Sequence, residues 1–148
     1  MRALGYRPHI TFAVYESAEI DVEATWQALR DAVAGHGALE VQFSRIRWFA
    51  DPRFVLWAEP EPVDMLLRWH ASIAAAIDPA HCHRHYRPGA WVPHCTLGTR
   101  IMDESRDAAI ALARSFERRF TVVFDVVDCV VFPPVQIVAE QALQPDGG

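Results

Sequence analysis

The stretch PHITF at residues 8–12 returns almost unchanged as PHCTL at residues 93–97. Both copies lie in runs rich in aromatic and β-branched residues, which favours strands. Side chains two positions apart in a strand share a face, so each copy presents an imidazole beside a hydroxyl. The residue between them, Ile10 or Cys95, then faces a core. The repeated polar residues are His9, Thr11, His94 and Thr96.

Outside the two motifs, strand and helix patterns alternate along the chain. Predicted strands cover residues 8–15, 39–49, 53–59, 91–100, 120–132 and 135–139. One predicted helix follows an Asp21 cap and ends before Gly35, a second has Pro62 in its first turn, and a third covers residues 103–119. The short turn at residues 51–52 indicates a hairpin, and hence an α+β or α/β fold with a mostly antiparallel sheet. Residues 144–148 are predicted to be a disordered tail.

The length of 148 residues predicts a single domain, residues 1–148, with two weakly related halves. No apolar run is long enough for a membrane span and no secretion signal is evident, so the expected location is the cytoplasm, with no membrane partner. Three unevenly spaced cysteines are expected to be reduced thiols. A net charge of −5 argues against a broad nucleic-acid interface, although all 14 cationic residues are arginine.

A pair of imidazoles beside hydroxyl groups suits displacement at phosphorus. One imidazole can take a proton from the attacking water while the other gives a proton to the leaving oxygen, since the reference pKa of histidine is about 6.5. The threonine hydroxyls can donate to the non-bridging phosphate oxygens. This chemistry requires no metal or other cofactor.

The chain resembles the 2H phosphoesterase superfamily, and in particular its bacterial 2′-5′ RNA ligase-like branch. The resemblance is carried by both His-x-Thr motifs, the strand RFVLWAE at residues 53–59 and the lead RPGAWVPH at residues 87–94. It implies a duplicated bilobal α+β fold, in which two mostly antiparallel sheets form a central cleft and the helices pack outside.

The resemblance also implies hydrolysis of 2′,3′-cyclic phosphates or 2′-5′ linkages in nucleotides or RNA ends. His9 would be the acid and His94 the base, although a pseudo-symmetric cleft would let the two exchange roles. The implied partner is a nucleotide or RNA terminus, and no obligate protein partner is implied. Ligation of RNA ends is the reverse reaction and stays open.

Five further side chains are candidates for holding substrate. Arg100 shares strand parity with His94, and Gly98 between them leaves room for a phosphate to approach. The remaining candidates are aromatic or cationic residues near one motif or the other, namely Tyr15 on the face of His9 and Tyr86, Arg87 and Trp91 in the loop before the second motif.

Several residues have an alternative interpretation. The run HCHRH at residues 81–85 could bind a transition metal, but ligands packed this closely are unusual in structural zinc sites, and a solvated loop is favoured. His70 lies in an apolar helical stripe and is predicted to be a core residue, and strand parity also turns Cys95 into the core. A non-catalytic module that binds nucleotides through the same residues is the main alternative to an enzyme.

Overall fold

The computed structural model describes residues 7–16 and 18–144, and within them it is an α+β fold with two antiparallel sheets. The helices are α1 (Val22–Val33), α2 (Asp64–Ala76) and α3 (Arg106–Ser115). The strands are β1 (Leu39–Phe49), β2 (Val55–Glu61), β3 (Cys95–Gly98), β4 (Phe120–Phe124), β5 (Val126–Val131) and β6 (Gln136–Ala142). One sheet has the order β3-β2-β1-β4, and the other is the β5-β6 hairpin. The predicted fold class is confirmed.

The chain forms two compact units, and each draws on three separate segments. The first unit comprises Met1–Ile10, Val41–Pro62 and His94–Val122. The second comprises Thr11–Glu40, Val63–Pro93 and Val123–Gly148. The grouping of all 148 residues into one domain with two related lobes and a central cleft stays a prediction.

The two faces of the first unit's sheet carry different sets of side chains. The β1-β2 hairpin and the β2-β3 pair are both antiparallel. Leu56, Ala58 and Cys95 are buried on one face. Helix α3 lies against that face, since the Arg114 guanidinium is 5.8 Å from the ring centre of Trp48, which pairs with Leu56. Strand alternation directs the intervening side chains towards the opposite face.

The second unit has its own hydrophobic core, to which α1, α2 and the β5-β6 hairpin contribute. Helix α1 begins where predicted, because an Asp21 side-chain oxygen accepts from the backbone N–H groups of Glu23 and Ala24 at 2.9 and 3.1 Å. The left-handed backbone of Gly35, with φ +76°, follows its end. The buried members of this core are Trp26, Val33, Trp69, Val127 and Leu143.

Three predicted strands are shorter than the sequence pattern suggests. Residues 8–15 form only isolated bridges at Ile10 and Tyr15. Residues 91–94 precede β3 as a loop, because Pro93 has no N–H to donate to a sheet. The predicted strand 120–132 is interrupted at Asp125, a residue type that strands disfavour, and its carbonyl accepts from the Leu143 N–H at 2.7 Å.

The helices also differ in detail from the predictions. Helix α2 begins at Asp64, so Pro62 precedes it and does not occupy its first turn. Helix α3 is preceded by a short 3-10 helix, Asp103–Ser105, and ends at Ser115. No helix in the described part of the chain is long and apolar enough to cross a membrane. Residues 145–148 of the predicted tail lie outside the described residues.

Candidate active site

The two motifs meet in the first unit through an antiparallel bridge between Ile10 and Cys95. Burial raises the pKa of the Cys95 thiol, and a hydrogen bond with the His9 backbone lowers it in part. One step along an antiparallel pair from Ile10 and Cys95 brings His9 opposite Thr96. The pairing therefore gathers His9 and Thr96 on one side, together with His94, whose ring contacts Trp57, the cross-strand partner of Thr96.

Cys95 itself is directed away from this polar side. Its side chain is buried, as strand parity predicted, and belongs to the hydrophobic core. The alternation of side chains between the two faces of β3 is interrupted at Leu97. Thr96 pairs with Trp57 and Gly98 pairs with Leu56, so two residues of β3 are taken up by one step along β2. Leu97 is the extra residue of this bulge, and its side chain is exposed.

Two aromatic rings of the β1-β2 hairpin hold the His94 imidazole edge-on. The ring centres of Phe49 and Trp57 lie 5.2 and 5.9 Å from that of His94, at interplanar angles of 89° and 66°. Phe49 and Trp57 stack on each other at 4.9 Å. Their contacts restrict the orientation of the imidazole, which is what a proton-transfer group requires.

Sequence reasoning missed two arginines on the same face of the sheet. Arg47 pairs with Trp57 in the β1-β2 register, and Trp57 pairs in turn with Thr96. The Arg47 Nε donates to a carboxylate oxygen of Glu59 at 3.3 Å, and Arg45 lies 3.8 Å from the same oxygen. The alternation in SRIRWF at residues 44–49 could have indicated that both arginines share a face. Their cross-strand partners are known only from the strand register.

The tautomer of His9 follows from its local hydrogen bond. Its Nδ1 lies 2.9 Å from the carbonyl oxygen of Arg7, and a carbonyl can only accept. The Nδ1 atom therefore carries a proton in the neutral ring. It follows that Nε2 is the nitrogen at which His9 gains or loses a proton.

Thr11 belongs to the second unit, and its carbonyl is anchored there. The indole N–H of Trp91 donates to the Thr11 carbonyl oxygen at 3.0 Å. Trp91 is buried, stacks on His70 with ring centres 4.3 Å apart and lies 5.4 Å from Phe12. Trp91 thus has a packing role, whereas the catalytic role of Thr11 and the base-stacking role of Trp91 stay predictions.

The other candidates from the second unit are partly buried or hydrogen-bonded locally. Burial raises the pKa of Tyr15 to about 12 and also raises that of Tyr86, so both are neutral phenols at physiological pH. Arg87 is exposed, and its Nε donates to the Cys82 carbonyl at 3.0 Å. His70 is buried with Nε2 2.8 Å from the Tyr86 carbonyl, which confirms its prediction as a core histidine.

The strand-parity argument for Arg100 is wrong. β3 ends at Gly98, and Arg100 has a left-handed backbone with φ +58°. The bulge at Leu97 has already shifted the alternation before that point. Arg100 is exposed in the first unit, and a role in holding phosphate there has no support from the strand pattern.

The histidines of residues 81–85 do not form a metal-ligand cluster. The His83 and His85 rings are 5.1 Å apart, but Cys82 between them is buried. Within residues 7–16 and 18–144, no three His, Cys, Asp or Glu side chains are grouped so that they could hold a metal ion. The structure therefore gives no support to the metal-binding alternative.

Two comparisons with known proteins bear on identity. A search of curated proteins finds no match. The family model described as the 2′-5′ RNA ligase superfamily matches residues 2–131, which is most of the chain and includes both His-x-Thr motifs. The chain therefore belongs to the 2′-5′ RNA ligase superfamily of 2H phosphoesterases.

Proposed function

We propose that the protein is a phosphodiesterase that hydrolyses 2′,3′-cyclic phosphates or 2′-5′ linkages of nucleotides or RNA ends without a metal ion. The observation that carries this proposal is the Ile10–Cys95 bridge, which brings the two His-x-Thr motifs together at residues 85 positions apart in sequence. Membership of the superfamily supports a phosphoesterase or ligase activity in general. The bond cut and the residues that cut it are the proposed part.

In the proposed reaction, the two imidazoles divide the proton transfers. His94 removes a proton from water as its oxygen attacks phosphorus, and the bond from phosphorus to the leaving ribose oxygen breaks. His9 Nε2 protonates that oxygen, so the product is a phosphate monoester beside a free hydroxyl. Each transfer contributes roughly 10²–10⁴-fold in rate. Ligation would use the same two proton transfers with the 5′-hydroxyl of a second RNA end in place of water, forming a new phosphodiester as one ring P–O bond of the cyclic phosphate breaks.

The phosphoryl group needs donors for its non-bridging oxygens. The Thr96 hydroxyl, opposite His9, supplies one donor, and we assign a second role to the Arg47 guanidinium on the same face. Arg47 is two strands from Thr96, about 10 Å between backbones at the usual strand spacing, which an extended arginine side chain can largely bridge. Glu59 holds its Nε and leaves the terminal nitrogens to contact phosphate.

The decisive experiment measures turnover of 2′,3′-cyclic mononucleotides and a 2′-5′-linked dinucleotide in EDTA, with products resolved by phosphorus NMR. We expect wild type to be active with a bell-shaped pH profile, and His9→Ala and His94→Ala each to lose at least about 10²-fold in kcat. His36→Ala is the matched control, because His36 is an exposed histidine of the second unit.

Two outcomes would contradict the proposal. Loss of activity in EDTA would exclude the metal-free mechanism. Tight nucleotide binding by a folded wild type with no turnover of any substrate would favour the binding module instead, and circular dichroism of each variant establishes that it is folded.

A further inference from the structure

One stretch of the chain carries basic residues but no acidic ones. Between Asp78 and Asp103 there is no carboxylate, although the chain carries 19 acidic residues and a net charge of −5. The first part of this stretch, residues 81–87, contains three histidines and two arginines. A segment with this composition is attractive to an anion even when the whole protein is acidic.

This segment is anchored to the second unit and forms a fixed surface. The His83 N–H donates to the Val14 carbonyl at 2.8 Å, and Tyr15 and Cys82 form an antiparallel bridge. Asp78 accepts from the Ala80 N–H at 2.8 Å and so begins the short helix Pro79–His81. The cationic side chains therefore extend from a backbone whose conformation is already determined.

The segment borders an open concavity of about 520 Å³, here called the cationic pocket. Its lining contains more basic than acidic side chains, because two histidines and two arginines accompany a single carboxylate. That carboxylate, Glu16, lies 3.8 Å from His83 Nε2 and is largely exposed. The lining residues are Glu16, Ala80, His81, Cys82, His83, Arg84 and Arg87.

The two arginines have their Nε atoms engaged within the loop. Arg87 Nε donates to the Cys82 carbonyl, and Arg84 Nε donates to His85 Nε2 at 3.3 Å. These bonds use the Nε atoms, so a phosphate would be contacted by the terminal nitrogens. Two oriented guanidinium groups at one concavity suit the tetrahedral oxygens of a phosphate diester.

We infer that the cationic pocket binds a backbone phosphate of an RNA substrate, separate from the phosphate that reacts. The inference rests on the proposed function for the identity of the ligand, since RNA is the polyanion on which the enzyme would act. The chain is acidic overall and does not favour a broad basic surface. A nucleotide beyond the reacting end would therefore be held through its phosphate at a local site of this kind.

The test measures binding of a ten-nucleotide RNA with a 3′-phosphate, the product form, by fluorescence anisotropy in EDTA between 50 and 200 mM KCl. Binding to single strands weakens with salt by about 0.7 in log–log slope per phosphate contact. We expect Arg84→Gln/Arg87→Gln to lower the slope by about 0.7, the contribution of one phosphate, and to weaken RNA binding. Glu16→Gln should strengthen binding, because it removes the facing carboxylate.

The control is Arg68→Gln, which removes one positive charge from an exposed position on α2 outside the pocket lining. The inference is overturned if the double variant keeps the wild-type salt slope, or if Arg68→Gln changes the slope equally. It is also overturned if the double variant loses the same factor in binding a mononucleotide 3′-phosphate, because the pocket would then hold the terminal phosphate.

Turnover separates this inference from the proposed function. Arg84→Gln alone is expected to hydrolyse 2′,3′-cyclic mononucleotides at the wild-type rate, because a mononucleotide has no second phosphate. If wild type turns over no substrate while RNA binding still depends on the two arginines, the proposed function fails and the cationic pocket stands.

Discussion

At the scale of single residues, the site depends on side chains that the histidine motifs do not include. Phe49 and Trp57 contact the His94 ring, and Arg47 lies on the same face through its pairing with Trp57. None of the three belongs to a motif that the sequence repeats. Each offers a substitution that separates a local role in the site from a general role in stability.

Phe49→Leu is expected to lower kcat on cyclic nucleotides by about tenfold, equivalent to about 1.4 kcal/mol in the barrier. The leucine removes the ring that faces the edge of the imidazole, so His94 samples unproductive orientations. Steady-state kinetics and thermal unfolding are measured together. Phe54→Leu, the same change at a buried residue of the first unit with no ring contact to His94, should lower stability and leave kcat unchanged. Equal losses of kcat in both variants would show that packing alone is responsible.

Arg47→Gln is expected to lower kcat/KM by about 10²-fold, because it removes a charged donor to the phosphate where charge develops. Arg45→Gln removes an arginine that also faces Glu59 but is two cross-strand pairs further from Trp57. We expect a loss below about tenfold for Arg45→Gln in the same assay. The reverse order of effects would reassign the phosphate contact to Arg45.

At the scale of elements, the helix cap at Asp21 can be tested without reference to activity. Asp21→Ala leaves the Glu23 and Ala24 N–H groups without their side-chain acceptor and should lower the free energy of unfolding by about 1 kcal/mol. Asp21→Asn keeps an accepting oxygen and should lose much less. Urea unfolding followed by circular dichroism measures both, and equal losses would mean that the charge of Asp21, not its cap, stabilises α1.

An element could be predicted from sequence where the interactions that form it involve neighbouring residues. The α1 cap and the β1-β2 hairpin follow from neighbouring residues, and both are confirmed. The bulge at Leu97 and the position of Arg100 depend on the register of β3 against β2, which no local pattern encodes. The pairing of Arg47 with Trp57 was missed for the same reason. The catalytic roles predicted for the two motifs await the kinetic test.

At the scale of the whole molecule, neither compact unit can form from one continuous part of the chain. The first unit includes β1 and β2 from the N-terminal half and β3 from beyond residue 93. The second unit joins α1 and α2 to β5 and β6. Val127 of β5 and Leu143, which directly follows β6, are members of its core. Burial in both units therefore depends on contacts between residues far apart in sequence.

A fragment of residues 1–93 is therefore expected not to fold cooperatively. It lacks β3, so the buried face of β2 is uncovered at one edge, and it lacks the residues that α1 and α2 pack against. The apolar area that remains buried would be too small to offset the conformational entropy of folding. Circular dichroism and urea titration of the fragment should show no sigmoidal transition, whereas the full chain should. A cooperative transition in the fragment would show that its helices and its hairpin are stable without β3 to β6. The later strands would then complete the site without being needed for stability.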